Sequence, residues 1–307
     1  MVVMGNEAGD LCSLTSALGY SWLRSNTSGK AIAFITTPRE DFMLRAENLY
    51  ALGLAGINQP FEELYCSSDP MPSQVSQFAL VDHNVLHTSY ASPTARVVAV
   101  IDHHEDEGQY KDTADPRVVE PAGNYINHQF FSIPPELSTL LLSPVLIDTR
   151  GLKEGGKAID GRIQSLSTTS GEKKLSVSHL STRDLLRRDY KEYTFTTPAS
   201  DNAVQSSNVI AVGLATLAER DLSILGMLTT FRNKKGKGGG EQLWIIKTGD
   251  EGIAEKLWEG LEASEELELK RLDFSNAVRG VIYCEAYKQG NTDSTRKQTA
   301  PILRRLM

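Results

Sequence analysis

The sequence predicts an α/β fold, a parallel-sheet domain followed by a smaller α/β domain, on three observations. Short apolar runs alternate with helix-period segments through the first half, the pattern of strands joined by crossover helices. Two of those runs pass directly into polar clusters, Asp82-His83-Asn84 and Asp102-His103-His104-Glu105. Acids and imidazoles at the carboxyl ends of parallel strands stand where open α/β sheets bind ligands. The chain of 307 residues is also longer than one core usually fills, so two domains are expected.

Val2 to Met4 reads as the first strand and Gly5 to Cys12 as a turn. Ser13 is placed to cap a helix with Leu14, Ala17, Leu18 and Trp22 on one face. Ala31 to Thr36 reads as the second strand. Pro38-Arg39-Glu40-Asp41 then puts proline and acids into the first turn of a helix that Gly53 or Gly56 ends. Phe78 to Val81 and Arg96 to Ile101 are the next strands. Leu140 to Ile147 delivers Asp148-Thr149; Pro144 would kink a helix or demote a strand, so this run fits either.

Residues 151 to 180 are rich in Gly, Ser, Thr and Lys with little apolar period, and read as a linker beginning after Gly151. The expected domains are 1–178 and 179–307. In the second, Ser181 to Lys191 reads as a charged helix, Val209 to Leu217 as an apolar stretch and Gln242 to Lys247 as a strand. Glu251 to Glu268 reads as an acidic helix, and the Lys- and Gly-rich run Lys234 to Gly240 as a solvated hairpin tip.

Composition narrows the function classes. Hydrophobic residues make up 40% and charged residues 23%, which excludes disordered, collagen-like and coiled-coil chains. A net charge of −7 argues against broad adhesion to nucleic acid or anionic membrane, and neither is expected as a partner. Cys12, Cys66 and Cys284 are too few and scattered for a disulfide framework. No apolar run approaches the roughly 20 residues that span a bilayer, and no secretory leader pattern opens the chain. The expectation is a soluble, cytoplasmic protein whose oligomeric state nothing in the sequence sets.

Acids at strand ends are often only caps, but here they recur. Asp10, Asp82, His103 and Asp148 each fall at a predicted strand-end turn of one sheet. Three carboxylates and an imidazole form a mixed oxygen and nitrogen set suited to Mn²⁺ or Mg²⁺, and shared carboxylates suggest two ions. A two-metal site suits in-line displacement at phosphorus, and so hydrolysis of a phosphate ester or anhydride.

These residues resemble a known family. Gly5-Asn6-Glu7-Ala8-Gly9-Asp10-Leu11-Cys12-Ser13, Asp82-His83-Asn84, Asp102-His103-His104 and Asp148-Thr149 are similar, in that order, to the four motifs of the DHH phosphoesterases. Asn291 to Pro301, with Thr295-Arg296-Lys297-Gln298, resembles the substrate signature of the DHHA2 accessory domain of family II pyrophosphatases, fungal exopolyphosphatases and prune proteins. Asn6, the Pro38 segment with Leu44-Arg45, and Arg188-Asp189-Tyr190-Lys191 are nearest to the exopolyphosphatase and prune branch. The resemblance implies a DHH domain, a DHHA2 domain and an active site in the cleft between them. It implies that Asp10 and Asp82 hold one ion, and that Asp82, His103 and Asp148 hold the other. His104 then faces substrate, with Asp82 and His104 at the catalytic centre and Arg296 and Lys297 on substrate phosphates.

Two departures mark this chain. The second aspartate of the first motif is Cys12, a softer ligand that favours Zn²⁺ and must lose a proton to bind. Glu120 to His128 lacks the small Ser and Cys residues with which the family usually opens a long helix, so that helix reads as shortened in the region 124–134, with Asn124 to Ile133 an irregular loop ending at Pro134-Pro135. The expected activity is hydrolysis of phosphoanhydrides supported by two divalent ions, Mn²⁺ or Mg²⁺, with Co²⁺ or Zn²⁺ as alternatives. Release of terminal orthophosphate from inorganic polyphosphate heads the list. Pyrophosphate or a cyclic nucleotide is the alternative substrate, and a catalytically weakened phosphate-binding scaffold is the alternative class.

Overall fold

Five short strands carry the first part of the chain: β1 (Val2–Met4), β2 (Ile32–Phe34), β3 (Gln77–Val81), β4 (Arg96–Asp102) and β5 (Arg117–Val119). They pair in parallel in the order β2-β1-β3-β4-β5. Val2, Val3, Met4, Phe78, Leu80 and Val100 are buried because the central strands are covered on both faces. Each such side chain contributes about 1.5–3 kcal/mol. The strand order reverses between β1 and β3, so the ligand crevice of this sheet type lies outside their carboxyl ends.

The structure is a computed structural model that describes residues 1–72, 75–120, 132–149, 151, 161–188, 191–197, 208–214, 223–232, 238–247, 251–273, 282–292 and 294–306. It divides into two units, Met1–Ser181 and Thr182–Met307. Among the described residues no helix is long and apolar enough to cross a membrane.

Helix α1 (Leu11–Thr27) is capped by Asp10 and not, as the sequence suggests, by Ser13. Asp10 Oδ1 accepts the Ser13 backbone N–H at 3.0 Å, a carboxylate at the positive end of the helix dipole. The Ser13 hydroxyl is thereby left for the site. Arg39–Leu44 forms a 3₁₀ turn ahead of α2 (Ala46–Leu54). Gly56, at φ +78°, ends α2: its N–H bonds Gly53 O at 3.1 Å while Ile57 N–H bonds Leu52 O at 2.9 Å. A single turn, α3 (Pro60–Glu63), follows.

The run that fits either strand or helix is a helix, α4 (Pro135–Asp148), with Pro135 in its first turn and Pro144 inside it. Asp148 is therefore delivered by the last turn of a helix and not by a strand end. The expected linker also contains a helix, α5 (Gly161–Leu175), packed against α4 and α2. It packs through small residues: Ser167 donates to Leu146 O at 3.3 Å, and a β-carbon at Gly151 would stand 2.8 Å from Ser167 Oγ. Close approach over small polar residues leaves no apolar period in the sequence.

The second unit opens with α6 (Thr182–Arg188) and holds six strands: β6 (Lys191–Thr197), β7 (Asn208–Leu214), β8 (Ile224–Arg232), β9 (Gly238–Lys247), β10 (Leu269–Arg271) and β11 (Ile282–Gln289). Their order is β10-β11-β9-β8-β7-β6, antiparallel except for β7 with β8. Gly238 to Gly240 are strand and not hairpin tip, paired with Arg232 to Thr230; residues 233–237 lie outside the described set. Helix α7 (Glu251–Glu262) stops six residues before Glu268, which takes φ +51° as the chain turns into β10. Trp244, Tyr287, Leu257, Leu261 and Leu303 fill the core between sheet and helices. Helix α8 (Arg296–Leu306) approaches α7 so closely that a β-carbon at Gly260 would stand 2.1 Å from Leu306 Cδ2.

Candidate metal centre

Asp82 follows β3 at the reversal point with φ +63°, a left-handed conformation that Asp tolerates better than most residues. Its N–H is held by Ile101 O at 2.9 Å, and its carbonyl accepts Asn6 Nδ2 at 3.2 Å. The residue is 6% exposed and well anchored: Oδ2 accepts the Ser13 hydroxyl at 2.6 Å and Asn6 Nδ2 at 2.8 Å. Both donors come from the loop and first helical turn after β1. With Oδ2 fixed in this way, Oδ1 is turned toward His103, whose Nε2 lies 3.1 Å away.

His103 and His104 follow β4, their rings edge to face with centroids 4.6 Å apart. Asp102, the last residue of the strand, organises both. Its Oδ1 accepts the His103 and His104 backbone N–H groups at 2.8 and 3.2 Å and His104 Nδ1 at 2.7 Å. Its Oδ2 accepts Asn84 Nδ2 at 2.5 Å. Burial alone would raise the Asp102 carboxyl. The hydrogen bond and charge of His104, with the bonds from Asn84 and the His104 backbone, outweigh it and hold the carboxyl well below the usual range. Asp102 is thus an ionised acceptor, so His104 Nδ1 carries the proton of the bond between them.

Ligand atoms of Asp82, His103 and His104 all lie within 4.8 Å of one another, the set among the described residues placed to hold a metal ion. A carboxylate oxygen and two imidazoles, the His104 ring held by the Asp102 carboxylate, fit a divalent ion. Cys12, in the first turn of α1, donates to Asp148 Oδ2 at 3.5 Å. Burial first, and then the charges of Asp10, Asp82 and Asp148, push the Cys12 thiol well above its usual range. Asp148 thus meets the sulfur directly, and the charges of Asp10 and Asp82 also act on it. Asp148 ends α4, where the helix dipole disfavours an acid by about 0.3–1 kcal/mol. Stability does not call for an acid there.

Sequence reading names Asp10, Cys12, Asp82, His103, His104 and Asp148. The structure brings Asp82, His103 and His104 together and sets Cys12 against Asp148, with Asp10 and Asp82 near enough to act on the thiol. Sequence reading assigns no task to Asn6, Asn84 or Asp102, and only a helix cap to Ser13, yet these four aim the others. The signal available is polar residues of buried character inside the quoted motifs. Arg296 and Lys297 are the first two residues of α8; their side chains lie outside the described set. Gln298 Oε1 reaches back over the first turn to accept the Thr295 N–H and hydroxyl at 2.7 and 3.1 Å. Two cations in a first turn oppose the dipole. Most of the region 124–134 lies outside the described residues, and α4 begins at its end.

Comparison with known proteins gives two matches along the chain. The family model of the DHH family N-terminal domain matches residues 1–142, and that of the DHHA2 domain matches residues 171–306. The chain carries a DHH domain followed by a DHHA2 domain. An exopolyphosphatase-named protein of Schizosaccharomyces pombe is 30% identical over 230 residues, 62% of this chain and 59% of that protein. Exopolyphosphatase PRUNE1 of Mus musculus is 25% identical over 342 aligned positions, covering 98% of this chain and 74% of the mouse protein. The match therefore spans less than two thirds of the yeast relative. DHH phosphoesterases are metal-dependent, and the Asp82, His103 and His104 group fits that chemistry.

Proposed function

We propose that this DHH phosphoesterase is a phosphoanhydride hydrolase that releases terminal orthophosphate from inorganic polyphosphate. The observation that carries the reading is the carboxylate and two imidazoles converging at the sheet's reversal point in a DHH–DHHA2 chain. The names of the yeast and mouse relatives support polyphosphate as substrate. In this reading Asp82, His103 and Asp148 with Cys12 hold one divalent ion, and Asp10 with Asp82 holds another, Mn²⁺ or Mg²⁺ being preferred. Ions bound there would lend Lewis acidity to the phosphoryl oxygens and the attacking water.

The chain's own groups have distinct tasks. Asn6 and Ser13 occupy Asp82 Oδ2 and keep Oδ1 facing the histidines. Asp102 holds the Nδ1 proton of His104, presenting Nε2 to substrate. Arg296 offers a planar fork and Lys297 a compact charge for phosphate oxygens.

Phosphate release with Mn²⁺, Mg²⁺ or Co²⁺, measured across polyphosphate, pyrophosphate and cyclic AMP, tests the substrate. Polyphosphate should be cleaved fastest, EDTA should abolish release and divalent ions restore it. Release unchanged in EDTA removes the metal reading. The second reading, a phosphate-binding scaffold, is favoured by the thiol at Cys12, and it predicts polyphosphate binding without release on any substrate. Replacing both Arg296 and Lys297 by Ala should raise KM and lower kcat/KM by about ten- to hundredfold, since a charge-assisted phosphate contact is worth about 1.5–3 kcal/mol. Bound metal, measured by mass spectrometry, should not change.

A further inference from the structure

The loop Gly5 to Asp10 is held from outside by residues that the proposed chemistry does not use. The Arg45 guanidinium donates to Ala8 O at 2.5 Å, and Asn48 Nδ2, one turn along α2, donates to Gly9 O at 2.9 Å. Thr36 donates to Asn6 O. Within the loop, Ala8 N–H bonds Asn6 Oδ1 at 2.9 Å and Gly9 N–H bonds Asn6 O at 3.2 Å. Gly9 takes φ +59°, and a β-carbon there would stand 1.9 Å from Thr37 Oγ1, so the loop is pressed against its neighbour where only glycine fits.

Arg45 and Asn48 are buried, 5% and 2% exposed, and Arg45 faces Glu47 across 3.6 Å with side chains 6% and 2% exposed. Taking an ion pair out of water is costly and is a poor way to gain stability over an apolar pair of similar size. Its placement beside the carbonyl two residues before Asp10 gives it another use. We propose that Arg45 and Asn48 are positioning residues that clamp the Ala8 and Gly9 carbonyls and thereby set the Asp10 carboxylate for metal binding. The clamp lies one peptide from Asp10 and acts on backbone, so loss of either contact lets the loop shift while Asp10 keeps its helix cap. The inference rests on the reading of Asp10 as a metal ligand.

The test uses the full chain and Mn²⁺ binding measured by calorimetry, alongside thermal unfolding and polyphosphate hydrolysis. Asn48→Ala and Arg45→Lys should each bind Mn²⁺ about ten- to a hundredfold more weakly, the range for removing a group that orients a metal ligand. Saturating Mn²⁺ should restore kcat, with KM for polyphosphate unchanged. A merely structural role would lower the melting temperature and would not be rescued by metal. Folded variants that bind Mn²⁺ as wild type does overturn the clamp, and so does failure of both variants to fold. Wild type that binds no Mn²⁺ overturns the metal reading and the clamp with it. Wild type that binds Mn²⁺ but leaves polyphosphate intact removes the substrate reading alone, and the affinity comparison still decides the clamp.

Discussion

Asp82→Asn is expected to fold, to lose Mn²⁺ binding and to reduce polyphosphate kcat/KM by about a thousandfold or more. Asn is the informative replacement because it accepts the left-handed φ of +63° that Asp82 takes, whereas Ala would add backbone strain. The Ser13 hydroxyl and Asn6 amide both donate to Oδ2, so the substituted amide must set its carbonyl oxygen against them. Its NH₂ group then faces His103 and the ion position, where a donor repels a cation. Removing a single preorganised charge-stabilising donor already costs about 10²–10³ in rate. Here a ligand is replaced by a repulsive group. Calorimetry with Mn²⁺ and a thermal melt check the two halves: binding should vanish while the melting temperature stays within a few degrees. An Asp82→Asn protein that binds Mn²⁺ and turns over normally shows that Asp82 is not a ligand.

The contrast between Asp82 and its supporters shows what is legible in the sequence. A strand is short and local, and a polar residue directly after it can be seen, so Asp82, His103 and His104 stand out from the pattern alone. Most of the residues that aim them act across long sequence separations, Asn6 and Ser13 on Asp82 and Asn84 on Asp102. Ser13 reads as a helix cap because Ser commonly is one, yet Asp10 caps the helix and Ser13 reaches Asp82, 69 residues away. Asp102 reads as one more strand-end acid, and its bond to His104 shows only in three dimensions. The α4 run is ambiguous because Pro144 argues equally against strand and helix. Burial of Leu140, Ser143, Pro144 and Leu146 on one side decides for helix, information that the sequence does not carry. Helix α5 is invisible for a related reason: it packs through Ser167 against Gly151 and buries Ser170, so the composition of a linker and of a small-residue packing face coincide.

Cys12→Asp is expected to raise Mn²⁺- or Mg²⁺-supported hydrolysis at least tenfold over wild type. The thiol donates to Asp148 Oδ2 at 3.5 Å, so sulfur and carboxylate are engaged with each other. An aspartate at this position cannot donate. It would place a second charged oxygen beside Asp148, a pair that repels unless a cation stands between them, which is the condition for strong binding of a hard divalent ion. With the thiol pushed up by burial and the neighbouring carboxylates, the same position lacks a ready thiolate, and its sulfur suits softer Zn²⁺ better than a hard ion. By analogy with deleting one preorganised donor, a misfit ligand here costs about 3–4 kcal/mol of transition-state stabilisation, two to three orders of magnitude in rate. Metal counting by native mass spectrometry together with phosphate release separates the outcomes. Two ions and faster release in Cys12→Asp make the thiol the limiting feature. Two ions without release locate the defect elsewhere in the substrate pocket and favour the scaffold reading. Fast release by wild type, matched by Cys12→Asp, shows that the thiol serves as well as a carboxylate and overturns this account of Cys12.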